Sequence, residues 1–292
     1  PTQRQIMAEN LYTHEQICSV APFFQTKGGS AIVSAVERMT KLKKLNDTYR
    51  KCSAEEGPDF AEAMLKEFGI EYSIGGLDLK DLPTGPFITI SNHPYGGADG
   101  LVLVDLFGHL RPDFKVMVNQ ILGLAKRMSC NMITVTPTGE EKKAATKESI
   151  NGVKKCIEQI HNGGVLGLFP SGAVSDLKPS EGWSIRDREW QVGAIKIIKK
   201  LGVPVVPVRF FDLYSNFYYF LGLIDWKVRL LKLPSELMNK RGKAMRVGIG
   251  EVITPEQIKQ YDSIEELTAF LRSSVYDMAL PDSFTPRNEL QL

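Results

Sequence analysis

An apolar run, a polar loop and a helix start follow one another in Phe87-Ile-Thr-Ile-Ser-Asn-His-Pro-Tyr-Gly-Gly-Ala-Asp-Gly100. The apolar run is short and is bounded by turn signals, Pro86 before it and Ser91 after it, which predicts a buried strand. In open α/β sheets, ligands bind at the carboxyl ends of strands. The loop that carries His93 is therefore a candidate site.

The same loop leads from His93 to Asp99, which we predict to be the N-cap of a helix over residues 100–110. A carboxylate on one imidazole nitrogen fixes the tautomer, so that the other nitrogen can accept a proton. Gly96 and Gly97 would let a substrate approach the backbone closely. The alternative is purely structural: Asp99 caps the helix, and His93 is a loop residue bonded to the backbone.

Strands and helices alternate along the rest of the chain, which predicts an α/β fold with a mixed, largely parallel sheet flanked by helices. Apolar patterning places strands at residues 70–74, 87–90, 114–118, 133–135, 165–169 and 203–210, and helices at residues 58–68, 121–128, 142–162 and 188–201. Residues 1–69 are expected to form an N-terminal helical segment and residues 70–292 the main domain. An apolar stripe over residues 32–49 would pack on the core or, with its basic flank, lie on an anionic membrane.

Composition excludes several classes of protein. The formal net charge of +2 gives no global field that would attract nucleic acid. The four cysteines are scattered singly, so the sequence offers no paired metal-ligand spacing, and no metal site is expected. The chain has no run of 18 uncharged apolar residues, and we predict no spanning helix.

A second candidate loop follows the apolar run before Phe169, in Phe169-Pro170-Ser171-Gly172-Ala173-Val174-Ser175. Its hydroxyl and backbone N–H groups could hold an oxyanion or a polar headgroup. The alternative is an ordinary turn between a strand and a loop. Ser171 is a poor candidate nucleophile, because it lacks the Gly-x-Ser-x-Gly context of a hydrolase serine.

A third stretch combines aromatic and basic residues, which suits the headgroup level of an anionic bilayer or an acidic carrier protein. The same residues could instead be core aromatics followed by a solvated loop. The candidate contact residues are Phe217, Tyr218, Tyr219, Phe220, Trp226, Lys227, Arg229, Lys240, Arg241 and Lys243.

Together these stretches resemble the lysophospholipid acyltransferase family. The matching motifs are Asn92-His93 with Asp99, Phe169-Pro170-Ser171-Gly172, Val203-Pro204-Val205-Val206-Pro207 and Leu237-Met238-Asn239-Lys240-Arg241-Gly242-Lys243. The resemblance covers roughly residues 70–255. It looks closest to the bacterial hemolysin-like branch, which includes O-acyltransferases of ornithine and glycine lipid synthesis.

The sequence departs from the family pattern in three ways, of which the last two concern the acceptor. The histidine and aspartate are separated by five residues, as in the hemolysin-like branch. No arginine occupies residues 136–138, where the wider family binds phosphate. Ser171 replaces the glutamate of Phe-Pro-Glu-Gly, and Ala173 replaces the glutamate of the branch motif. These changes favour an acceptor that is not a phosphomonoester, such as the hydroxyl of an N-acyl amino acid.

The resemblance implies an O-acyltransferase with no bound cofactor, which takes acyl groups from acyl carrier protein or coenzyme A and works at the cytoplasmic face of the inner membrane as a peripheral protein. It assigns catalysis to His93 as general base and to Asp99. Substrate contacts would come from Asn92, Gly96, Gly97, Pro170, Ser171 and Gly172. Two alternatives remain: lysophosphatidate as acceptor, with Lys178 or Arg186 in place of the missing arginine, and an inactive lipid- or carrier-binding protein.

Overall fold

Helices and strands alternate along most of the chain, as expected. The computed structural model describes residues 42–119, 126–135, 147–224, 226–239, 242 and 244–292. The helices are α1 (Leu42–Cys52), α2 (Gly57–Phe68), α3 (Gly97–Leu110), α4 (Lys147–His161), α5 (Val192–Leu201), α6 (Asn216–Ile224), α7 (Trp226–Asn239), α8 (Pro255–Lys259) and α9 (Ile264–Tyr276). The strands are β1 (Tyr72–Gly76), β2 (Ile88–Ser91), β3 (Lys115–Asn119), β4 (Met132–Val135), β5 (Leu166–Leu168), β6 (Asp176–Lys178), β7 (Ser184–Arg186), β8 (Val205–Phe210), β9 (Met245–Ile249) and β10 (Thr285–Pro286).

Eight strands form one sheet in the order β10-β1-β9-β8-β2-β5-β3-β4, and β6 and β7 form a separate hairpin. All neighbours in the large sheet run parallel except β8 with β9 and β1 with β10. This is the mixed, largely parallel sheet that the sequence predicts. In its centre, Ile90 of β2 lies opposite Leu168 of β5 and Pro207 of β8, so these three strands end side by side.

Two apolar clusters cover the sheet. One includes Phe60 of α2 and Phe107 of α3, and the other includes Ile195 of α5 and Leu271 of α9. Ile88 of β2 belongs to the second cluster. A parallel sheet buried on both faces needs nearly continuous apolar strands, which explains the apolar runs in the sequence.

Local sequence signals set several helix boundaries. Pro58 lies in the first turn of α2, and Gly69 ends that helix in the left-handed conformation at φ 66°, as predicted. In contrast, α5 begins at Val192 and not at residue 188. Gln191 is extended because its backbone N–H donates to the Pro170 carbonyl across the neighbouring loop.

Several predictions fall on residues that the structure does not describe. They concern the N-terminal stripe up to residue 41, the missing arginine near residues 136–138, and most of the predicted helix over residues 121–128, of which residues 126–128 form a turn. The predicted helix over residues 142–162 is present as α4 from Lys147 onward. Among the described helices, none has both the length and the apolar character needed to cross a bilayer.

Candidate active site

The candidate site lies where β2, β5 and β8 end side by side. His93 follows β2 by two residues, Phe169 follows β5 directly, and Phe210 is the last residue of β8. The backbone N–H of Ser175 donates to the His93 carbonyl, over 2.9 Å, so the two loops are joined. The structure thus brings the first and second predicted motifs together at the edge of the sheet where α/β proteins bind ligands.

His93 and Asp99 form a close, buried pair. Nδ1 of His93 lies 2.9 Å from Oδ2 of Asp99, whose side chain is fully buried. Burial raises the pKa of the Asp99 carboxyl to about 6, although the contact with His93 lowers it again in part. The predicted proximity of these two residues is therefore present in the structure.

Asp99 is not the N-cap that the sequence predicts. The helix α3 begins at Gly97, which makes Gly96 the N-cap and places Asp99 in the third helical position. From there, Oδ2 of Asp99 accepts the backbone N–H groups of Tyr95, at 2.9 Å, and of Gly96, at 3.0 Å. Gly96 adopts φ 68° and ψ −115°, which only glycine enters readily, and this turn wraps the loop around the carboxylate.

One side of the imidazole ring is covered by an aromatic ring. The ring centroids of His93 and Phe169 are 4.1 Å apart, and the two planes are inclined by 32°. Nδ1 of His93 faces Asp99, which leaves Nε2 as the other ring nitrogen. This nitrogen is the one that can accept a proton from a substrate.

The side chain of Asn92 is bonded to the end of β8. Its Oδ1 accepts the backbone N–H of Phe210, at 2.8 Å, and its Nδ2 donates to the Phe210 carbonyl, at 2.9 Å. The side chain thus completes hydrogen bonding at the end of β8 and fixes the start of the catalytic loop. Asn92 therefore positions the loop, and its contact with a substrate stays a prediction.

The loop after β5 uses most of its own polar groups. Oγ of Ser171 donates to the Ala173 carbonyl, at 2.7 Å, and the Gly172 N–H donates to the Phe169 carbonyl, at 2.9 Å. The Pro170 carbonyl accepts the N–H of Gln191. Gly172 has φ 64°, and a Cβ there would lie 2.2 Å from Nε2 of Gln191. Ser171 is therefore not activated by His93, in line with the sequence expectation.

Asp187 is a residue that sequence reasoning missed. Its side chain is fully buried, and its Oδ1 accepts the His93 N–H, at 3.1 Å, and the Ser175 hydroxyl, at 2.6 Å. Its Oδ2 accepts the indole N–H of Trp190, at 3.3 Å. One carboxylate thus ties the histidine loop to the loop after β5. No local signal could reveal this, because His93 is 94 positions away along the chain.

We expect Asp187→Ala to lower kcat by about 10- to 100-fold with little change in KM, because His93 would lose the bond that fixes its backbone. Trp190→Phe is the matched control, since it removes one donor to the same carboxylate but leaves the His93 N–H bonded. This control should keep kcat near that of the wild type. Steady-state kinetics and thermal melts of both variants separate positioning from stability. An Asp187→Ala enzyme that melts earlier but turns over normally would contradict the positioning role.

The third predicted group divides into three parts. Phe217 and Phe220 are exposed on α6, whereas Tyr218, Tyr219 and Arg229 are buried. Trp226 and Lys227 lie in the first turn of α7, and Lys240, Arg241 and Lys243 lie outside the described residues.

Tyr218, Tyr219 and Arg229 therefore cannot act as the contact surface that the sequence predicts. Nη1 of Arg229 donates to the Ser175 carbonyl, at 3.0 Å, and to Oδ1 of Asp176, at 2.7 Å. Its guanidinium lies 5.7 Å from the centre of the Tyr218 ring. These residues hold α6 and α7 against the candidate site, and so the structure corrects the prediction.

Metal-ligating side chains do not gather around His93 in the described part of the chain. A group of metal-ligating side chains does occur elsewhere among the described residues, at the opposite end of α3. It consists of Asp59, Glu62 and His109. His109 is already engaged, because its Nδ1 lies 2.7 Å from the Asp105 carbonyl and its Nε2 lies 3.1 Å from Asp59. Around His93, the described residues offer a histidine and a carboxylate.

Comparison with known proteins identifies the family. The family described as "Acyltransferase" matches residues 21–283. Lyso-glycine lipid O-acyltransferase of Phocaeicola vulgatus is 25% identical over 255 residues, which cover 85% of this chain and 87% of that protein. Lyso-glycine lipid O-acyltransferase of Bacteroides thetaiotaomicron is 25% identical over 257 residues, which cover 85% of this chain and 89% of that protein.

Among solved structures, a match is the 1-acyl-sn-glycerophosphate (LPA) acyltransferase PlsC from Thermotoga maritima. It is 14% identical, with a TM-score of 0.47, and the match covers 94% of this chain and 93% of that chain.

The fold and the buried histidine and carboxylate pair define the class, and the chain belongs to this acyltransferase family. With its two curated relatives, family membership makes the protein an O-acyltransferase. The resemblance seen in the sequence is confirmed.

Proposed function

We propose that the protein transfers a fatty acyl group from a thioester directly to the hydroxyl of a lysolipid, which is an N-acyl amino acid. The observation that carries this proposal is the 2.9 Å contact between Nδ1 of His93 and the fully buried Asp99. The two relatives named lyso-glycine lipid O-acyltransferases support the choice of acceptor.

His93 acts as the general base. With Nδ1 held by Asp99, Nε2 accepts the proton of the acceptor hydroxyl while the hydroxyl oxygen attacks the thioester carbonyl. Asp99 stabilises the imidazolium that forms. When the carbon–sulfur bond breaks, the imidazolium returns the proton to the thiolate, which leaves as a thiol. The products are an ester and a free thiol, and no acyl-enzyme is formed.

The oxyanion of the tetrahedral intermediate needs hydrogen-bond donors. The backbone N–H of Gly96 is bonded to Asp99, and that of Gly172 is bonded to Phe169. The N–H groups of Gly97 and Ala98, in the first turn of α3, have no partner within a helix of standard geometry. We therefore assign oxyanion binding to Gly97 and Ala98.

The sequence of the loop after β5 favours the same acceptor. Ser171 and Ala173 stand where acids occur in related motifs, and Oγ of Ser171 is bonded to the Ala173 carbonyl. The proposed substitutes for a phosphate-binding arginine are already engaged. Nζ of Lys178 pairs with Glu181 at 3.0 Å, and the Arg186 guanidinium packs 5.3 Å from the centre of the Tyr276 ring. Lysophosphatidate would therefore be held less well than an N-acyl amino acid.

The donor is acyl carrier protein or coenzyme A, and the enzyme acts as a peripheral protein at the cytoplasmic face of the inner membrane, where its acceptor resides. The close pairing of His93 and Asp99 argues against the alternative of an inactive binding protein, since such a protein has no use for a buried base.

A competition between acceptors tests the proposal. Purified enzyme is mixed with an acyl thioester and with equal amounts of two acceptors. One acceptor is a lysolipid in which glycine carries an N-linked hydroxy fatty acyl chain, and the other is lysophosphatidate. The main product, measured by mass spectrometry, should be the ester of the glycine lysolipid. Both donors, acyl carrier protein and coenzyme A thioesters, should be run in parallel. Preferential acylation of lysophosphatidate would contradict the acceptor assignment and leave the general-base chemistry standing.

A further inference from the structure

Helix α6 is apolar on two opposite sides. Over Asn216–Ile224 it contains no charged residue. Its outer side exposes Phe217 (57%), Phe220 (45%), Leu223 (45%) and Ile224 (66%), which recur at the spacing of one helical face. Most exposed apolar residues of soluble proteins are single, whereas these four are neighbours on one surface. The outer side of α6 is therefore an exposed apolar surface.

The inner side of α6 packs on the catalytic loop. Tyr218 and Tyr219 are fully buried, and the Tyr219 hydroxyl donates to the carbonyl of Pro94, the residue after His93, over 2.8 Å. Burial raises the pKa of the Tyr219 phenol well above its ordinary value, so its O–H remains a donor at neutral pH. The ring of Tyr95 packs on Tyr214 at 4.8 Å, and Tyr214 packs on Tyr218 at 5.0 Å. Whatever binds the outer side of α6 is thus held next to the His93 loop.

Charge around this surface favours an anionic partner. Nζ of Lys232 lies 5.9 Å from the centre of the Phe217 ring, at the edge of the apolar surface. Over residues 216–243 the sequence has five basic residues besides the buried Arg229, and two acids, Asp225 and Glu236. Glu236 is buried, accepts the N–H and hydroxyl of Ser215, and lies 3.7 Å from Nζ of Lys232, so it offsets part of the charge of that lysine.

Apolar side chains bordered by cations match the interface of a bilayer that contains anionic lipids, where rings and aliphatic chains enter the acyl boundary and lysines meet headgroup phosphates. A docking site for a protein would be expected to offer hydrogen-bonding groups among its anchors. The outer face of α6 offers the amide of Asn216 alone in that helix.

We propose that the outer face of α6 inserts into the surface of an anionic lipid bilayer and thereby places the His93 loop at the membrane, beside a lipid acceptor. The inference rests on the proposed function for the nature of the acceptor, while the membrane contact itself stands on the surface of α6.

The test compares wild type with the double variant Phe217→Ser/Phe220→Ser on vesicles of phosphatidylcholine and phosphatidylglycerol, by co-sedimentation. Loss of two half-exposed rings should weaken vesicle binding by about tenfold or more. Turnover of a short-chain, fully dissolved acceptor should stay near that of the wild type. Leu223→Ser/Ile224→Ser is a second variant, because it removes the same surface without touching the ring beside Lys232.

The matched control is Ile150→Ser/Leu280→Ser, which removes two side chains of similar exposure, 46% and 52%, from other parts of the surface. It should bind vesicles like the wild type. The proposal is wrong if both α6 variants bind vesicles as the wild type does; a changed oligomeric state on gel filtration would then mean that a second copy of the chain covers this face. If the α6 variants bind vesicles more weakly but the wild type acylates no acceptor, the proposed function is wrong and the membrane contact is supported.

Discussion

Replacing His93 with glutamine is expected to lower kcat by about 10²- to 10⁴-fold, because glutamine cannot accept the proton of the acceptor hydroxyl. Glutamine keeps a polar side chain over the Phe169 ring, which lies 4.1 Å from His93, so the loop should retain its packing. The measurement is the initial rate of ester formation from an acyl thioester and a lysolipid, with substrate saturation to separate kcat from KM.

His161→Gln is the control for this experiment. His161 is exposed at the end of α4 and has no part in the site, so this variant should keep the wild-type rate. Wild-type turnover by His93→Gln would show that another group acts as the base, and the proposed mechanism would fail.

Asp99→Asn is expected to lower kcat by about 10³- to 10⁴-fold, the scale seen when the carboxylate of a histidine and aspartate pair is made neutral. An asparagine oxygen can still accept the N–H groups of Tyr95 and Gly96, so the loop should keep its shape. What it cannot do is stabilise an imidazolium at His93. The rate of ester formation across pH measures this loss.

Asp99 also predicts a pH-dependent stability. Burial raises the pKa of its carboxyl from 3.8 to about 6, so in this range the folded protein binds more protons than the unfolded chain. The stability contributed by protonated Asp99 is fully present below pH 3.8 and is lost as the pH rises through about 6. At most about 3 kcal/mol is involved, from roughly 1.4 kcal/mol per pKa unit.

Thermal melts of wild type and Asp99→Asn should therefore differ in how the melting temperature depends on pH. The range from about pH 4 to about pH 7 covers the ordinary pKa of the Asp99 carboxyl, 3.8, and its raised pKa, about 6. The variant should lack this part of the pH dependence and gain stability relative to wild type as the pH rises. If the melting temperatures of the two proteins change with pH in the same way, burial does not raise the pKa of the Asp99 carboxyl.

Much of the site could be predicted from the sequence because its signals are local. The apolar run before Ser91, the glycines after His93 and the apolar run before Pro170 define strands followed by loops, and parallel strands bring such loops to one edge. The helix over Gly57–Phe68 followed equally from Pro58 and Gly69. The error at Asp99 was one of helix position by three residues, which pattern alone does not resolve.

The rest depends on contacts between distant parts of the chain. Asp187 was missed because its bond to His93 spans 94 positions. The bond of Asn92 to β8 was missed because its partner, Phe210, lies 118 positions away. The sequence shows one continuous aromatic stretch, but α6 places its side chains on two opposite sides of the helix. Tyr218 and Tyr219 face the core, and Phe217 and Phe220 face outward. Only the packing of the helix distinguishes these neighbours, since all four side chains are aromatic.

The proposed reaction is direct, base-catalysed acyl transfer without an acyl-enzyme. Ser171, the hydroxyl of the second motif, donates to the Ala173 carbonyl and not to His93. The most direct measurement is the release of thiol by purified enzyme at a concentration near that of the acyl thioester. The enzyme is first mixed with the donor alone, and the acceptor is then added. The account predicts that thiol appears only with acceptor and in step with ester. A burst of thiol equal to the enzyme concentration, with donor alone, would contradict it.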